Sequence, residues 1–97
     1  MPPLKDQILT AALNLAKKHG LRGVTRFAVA RAAECGTGTI NYHFCDIDGL
    51  RGAVIEYAIK HEVLEVLAQA RAERHPRLNG RLSKTLVERI ADHIAGR

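Results

Sequence analysis

Residues 36 to 44, Gly-Thr-Gly-Thr-Ile-Asn-Tyr-His-Phe, gather most of the side chains in this chain that could do chemistry together. Taken as about two helical turns with Ile40 inward, the run also turns Phe44 inward, at roughly 100° per residue. Gly38 and Tyr42 then face outward, with Thr39, Asn41 and His43 on the flanks. That face is small, hydroxylated, amide-bearing and aromatic, with no lysine, arginine or carboxylate. Hydroxyls, amides and imidazoles pair with phosphate oxygens and base edges. Asn41 carries the amide that pairs with adenine, so it is the candidate for base discrimination. Tyr42 and His43 suit positioning on the sugar–phosphate backbone. Gly36 and Thr37 occupy the turn leading in, where backbone N–H groups can meet a phosphate. The pattern predicts a helix-turn-helix read out through residues 37–43.

Other chemistry is thin. Cys35, His43 and Cys45 are soft ligands by type, but their spacing fits no zinc pattern, so no metal site is expected. Two cysteines make no disulfide framework. Cys35 reads as a small core residue and Cys45 as a link residue. His61, His75 and His93 have no acid or nucleophile in a supporting register. There is neither a nucleophile–base pair nor a phosphate-cradling glycine loop. The expectation is no enzyme and no cofactor.

The elements that must hold residues 37–43 are helical. The 97 residues suit one small domain, or a head with an extension. With no tryptophan, two Phe and two Tyr, the core must be aliphatic and alanine-rich, which favours close-packed helices. Helix one is expected over 4–19, burying Ile8, Ala11, Ala12, Leu15 and Ala16, after a Met1-Pro2-Pro3 lead. Gly20 stops it. Thr25 should cap a second helix at 26–33. Glu34-Cys35-Gly36 breaks that helix, with Gly36 supplying the permissive backbone; a glycine there can also serve as the N-cap of the next helix. Asp46 should cap a long helix over 46–74, and His75 to Gly80, through Pro76 and Asn79, turns the chain. Ser83 then caps a last helix at 84–95.

The net charge is +5, and its distribution matters more than its size. Residues 1–31 carry +5, residues 32–56 carry −3 and the remainder +3. Attraction to phosphate therefore falls to Lys17, Lys18, Arg22, Arg26 and Arg31, which flank the neutral reading segment. The Arg71, Arg74, Arg77, Arg81 series reads as a solvated face. No signal peptide or membrane-length apolar run is evident, so a cytoplasmic protein with no membrane partner is expected.

Residues 8–56 resemble the DNA-binding domain of TetR-family transcriptional regulators. The resemblance lies in Ile8-Leu9-x-Ala11-Ala12-Leu13-x-Leu15, His19-Gly20, Val24-Thr25, Val29-Ala30-x-Ala32-Ala33, and Leu50 with Ala53-Val54. Above all it lies in the run from Gly38 through Thr39, Ile40, Asn41, Tyr42 and His43 to Phe44. The resemblance implies that Thr25 and Arg26 lie close to the DNA backbone. The chain departs from it at Phe27, where a polar or basic residue is usual. It also departs at Cys45 and Ile47, where proline and a phosphate-contacting lysine are common. The usual large ligand-binding domain is missing from these residues, so no small-molecule inducer is expected.

The expected architecture is all-α: a helix-turn-helix head over 1–56 and a helical hairpin over 57–97. Leu82, Leu86, Ile90 and Ile94 recur every fourth residue, and Val63, Leu64, Val66 and Leu67 face them. Two helices leave apolar surface to spare, which a second copy could cover. Val63, Leu64, Leu67, Leu86, Ile90 and Ile94 are therefore the expected dimer contacts. The function these readings imply is a homodimeric repressor binding a palindromic double-stranded DNA operator. The competing reading is a protein-interaction module that keeps the fold and inhibits another regulator without binding DNA.

Overall fold

A computed structural model describes residues 3–78 and 80–96 of the chain. The Met1-Pro2 lead and Asn79 of the expected turn lie outside the described residues. Every regular element among the described residues is helical. Residues 1–54 and 55–97 form two compact units.

In the first unit, α1 (Leu4–His19) begins behind Pro3, whose fixed φ suits a helix start. It buries Ile8, Ala12, Leu13 and Ala16, while Ala11 and Leu15 of the expected stripe are half-buried. Gly20, at φ 80, ends it, and its N–H donates to the Ala16 carbonyl at 2.8 Å. A 3-10 turn at Leu21–Gly23 leads to α2 (Arg26–Ala33). Thr25 caps α2 as expected: its Oγ1 accepts from the Ala28 N–H at 3.2 Å. The reading segment is α3 (Thr37–Phe44), with Ile40 and Phe44 buried. α2 packs on both α1 and α3. Ile8, Val24, Val29, Ile40, Leu50 and Val54 are fully buried, and each contributes about 1.5–3 kcal/mol to this unit by leaving water.

The link from α3 to α4 (Ile47–His61) is tight. The Asp46 N–H donates to the Phe44 carbonyl at 2.8 Å, across Cys45 at φ 68. Asp46 caps α4, its Oδ1 accepting from Gly49 N–H at 2.7 Å. A Cβ at Gly49 would collide with the Phe44 carbonyl, so glycine is required there.

One expectation is corrected here. The helix proposed over 46–74 is two helices, α4 and α5 (Leu64–Ala72). Glu62 sits at φ 54, and the Val63 N–H reaches back to the Ala58 carbonyl at 2.9 Å. That left-handed residue with its long backward bond is a helix-ending motif usually built on glycine. Nothing in the Lys60 to Leu64 sequence announces it.

In the second unit, α5 and α6 (Lys84–Ile94) pack together, and Ser83 caps α6 by accepting from Leu86 N–H at 3.1 Å. Ile55, Val66, Leu67 and Ile90 are fully buried. Arg81 grips both carboxylate oxygens of Glu56 at 2.7 Å, and Arg89 meets Glu62 at 2.7 Å.

Candidate nucleic-acid interface

The outward face of α3 stands as the residue order requires. Tyr42 is 84% exposed, and Asn41 and Gly38 are exposed beside it. Thr37, Thr39 and His43 are half-buried. The His43 ring meets Tyr42 edge-on, with centroids 5.1 Å apart, which limits where the tyrosine ring can swing. A Cβ at Gly38 would meet nothing within 4 Å. Glycine in a helix costs roughly 1 kcal/mol against alanine, and no neighbour in this chain requires it. The free space lies over the outward face.

Of the two roles open to Gly36, breaker and cap, it takes the cap. It is the N-cap of α3 with extended backbone, φ −85, which any residue adopts. The left-handed position is Glu34 at φ 56, and the Cys35 N–H returns to the Ala30 carbonyl at 2.9 Å. Gly36 is exposed, so its backbone is open at the start of the reading helix.

Thr25 and Arg26 are exposed at the head of α2. Thr25 spends an oxygen lone pair on its cap but keeps its hydroxyl hydrogen to donate. Arg26 and Arg31 have no carboxylate within ion-pair distance among the described residues, which leaves their charge available to an anion. At the far end of α3, Lys5 Nζ lies 5.6 Å from the Phe44 ring centroid, close enough for a cation–π attraction.

The structure also gives roles that the sequence reading left unassigned. The Arg51 Nε–H donates to the Val24 carbonyl at 3.0 Å, and Asp48 lies 3.7 Å from the same guanidinium. The acidic pair at 46 and 48 is thereby employed, one as a helix cap and one beside Arg51. Phe27, at the position where the resemblance has a polar or basic residue, is 76% exposed.

The expected dimer contacts divide. Leu67, Leu86 and Ile90 are buried within the single chain and have no surface to offer a partner. Val63 and Leu64 are half-buried, and Ile94 is 64% exposed.

A family model described as bacterial regulatory proteins, tetR family, matches residues 8–54. Its span takes in α1, α2, α3 and the start of α4. The chain carries a TetR-family helix-turn-helix domain. The HTH-type transcriptional regulator BetI of Serratia proteamaculans (strain 568) is 30% identical over 77 residues, which is 77% of this chain. The same stretch spans 39% of that relative. No solved structure gives a significant match. Among the described residues no helix is long and apolar enough to cross a membrane.

Proposed function

We propose that this chain is a DNA-binding transcriptional regulator that presents α3 to the major groove. The supporting observation is the outward face of α3: Tyr42 stands clear of the fold, Asn41 is exposed, and Gly38 borders open space. Asn41 is the base-reading residue. Thr39, Tyr42 and His43 hold the helix on the backbone, as do Gly36 and Thr37 at its start. Thr25 and Arg26 meet phosphate at the head of α2. The chain acts as a homodimer on an inverted repeat and represses by occupying promoter DNA. Two heads then read half-sites about one helical turn, or a larger spacing, apart.

Asp46 and Asp48, acidic groups close to the reading helix that would count against DNA and toward a protein partner, are engaged within the chain. Asp46 caps α4 and Asp48 approaches Arg51. Stoichiometric capture of a regulator by a chain that ignores DNA would restore that second reading.

The test is selection of duplexes from a random pool by the purified protein, followed by titration of the enriched duplex across a salt series. The expected result is an enriched inverted repeat whose affinity falls steeply with salt. Thr39→Ala and Tyr42→Ala should each weaken binding about tenfold while leaving the helical content intact. Equal affinity for every sequence, or no binding at low salt, removes the reading.

A further inference from the structure

We propose that Phe27 is a further DNA-contact residue, whose ring packs on the apolar surface of the duplex beside the phosphates met by Thr25 and Arg26. This rests on the DNA-binding reading of α3. The chain has two phenylalanines, and they are treated oppositely: Phe44 is 8% exposed and Phe27 is 76% exposed. α2 closes its core with Val29 and Ala30, so Phe27 does nothing for the fold.

Its position has direction. Phe27, Arg31 and Glu34 follow one another at helical spacing along one edge of α2. From Glu34 the chain turns through its left-handed backbone into α3. The exposed ring stands on the first turn of α2, beside Arg26 and one turn before Arg31.

Its surroundings select the partner. Thr25, Phe27 and Arg31 rim a shallow groove of about 480 Å³ floored by Leu15, Ala28 and Ala32. Arg26 and Arg31 flank the ring, with no carboxylate partner among the described residues. Exposed aromatic surface between unspent cations fits a ligand that is polyanionic outside and carries apolar patches. Duplex DNA offers two such patches: the thymine C5-methyl and the faces of the deoxyribose. A phenyl ring has no hydrogen-bonding group, so the contact works by exclusion of water alone.

The probe is the duplex enriched from a random pool by the wild-type protein. Phe27→Ala should bind it about tenfold more weakly, with Phe27→Leu between. The dependence on salt should keep its slope, because no charge is lost. Tyr42→Ala serves as the control for α3. Single replacement of thymidine by deoxyuridine removes only a methyl. If one such replacement reproduces the loss, and adds nothing in the alanine variant, the ring sits on that methyl. If none does while Phe27→Ala still binds weakly, the ring sits on deoxyribose. Wild-type affinity in Phe27→Ala with a weakened Tyr42→Ala overturns the Phe27 contact and leaves the α3 reading intact. A wild-type protein that enriches no sequence overturns both.

Discussion

Arg51 on α4 donates its Nε–H to the carbonyl of Val24, 27 positions earlier in the chain, at 3.0 Å. Val24 immediately precedes Thr25, the cap of α2, and is itself fully buried. A single side chain therefore holds the entrance of α2 against the helix that follows α3. Asp48, 3.7 Å from the Arg51 guanidinium, adds a weak orienting attraction that solvent screens, since it is largely exposed.

Arg51→Met should keep the aliphatic packing and leave the Val24 carbonyl without its donor. Hydrogen bonds from charged donors contribute roughly 1.5–3 kcal/mol, and partial exposure puts this one near the lower end. Urea denaturation should show a loss of about 1–2 kcal/mol. Amide exchange at Thr25 to Ala28 should quicken more than elsewhere in the first unit. Arg51→Lys should recover part of the loss. Unchanged stability and unchanged exchange at Ala28 would show that the contact holds nothing in place.

In the second unit, Arg81 meets Glu56 with two parallel hydrogen bonds at 2.7 Å, and Arg77 stands 3.5 Å away. The hydrogen bond from Arg81 is the main cause that lowers the Glu56 pKa below its ordinary value, and the same bond raises that of Arg81. A depressed folded-state pKa adds stability that is complete above the unfolded carboxylate's value and drains away as pH falls through the folded one. The window opens near pH 4.5 and extends downward. Glu56→Gln should therefore lower the melting temperature slightly near neutrality and converge with the wild type in acid, so that the acid limb below that pH is flatter. An acid limb of unaltered steepness would mean that the fork adds no pH-dependent stability, as is common for exposed pairs.

The first unit was largely legible in the sequence because its signals are local. Thr25 is a hydroxyl cap, Asp46 is an acidic cap, and Gly20 closes α1; Ser83 does for α6 of the second unit what Thr25 does for α2. The period of Ile40 and Phe44 fixed which side of α3 is exposed. The illegible features share one physical cause. Besides α3, which ends on Cys45 at φ 68, three helices among the described residues end on a left-handed residue that is not glycine: Glu34, Glu62 and Arg74. Each is followed by an N–H that bonds back to the fifth preceding carbonyl, at 2.9 Å. Such ends cost roughly 1–2 kcal/mol of backbone strain, and they leave no mark in composition. That is why α4 and α5 read as one helix, and why Gly36 looked like the breaker when Glu34 held the turn. Arg51 escaped notice because its partner is a backbone carbonyl far along the chain, which no side-chain pattern reports.

Self-association must be carried by side chains that the single chain leaves uncovered. Ile94 is such a residue; Leu67 is not. Aspartate at position 67 would place a carboxylate in a fully buried apolar site, at a cost of several kcal/mol, and should unfold the second unit. Loss of a dimer in Leu67→Asp would then say nothing about an interface. Ile94→Glu is the discriminating change. It lies on the exposed end of α6, so stability within one chain should move by no more than about 0.5 kcal/mol. If a second copy covers this end, together with the half-buried Val63 and Leu64, Ile94→Glu should shift sedimentation equilibrium from dimer toward monomer at micromolar concentration. It should also weaken binding to an inverted repeat more than to an isolated half-site, because only the former needs both heads at once. A mutant that sediments with the wild-type mass would move the interface away from α6.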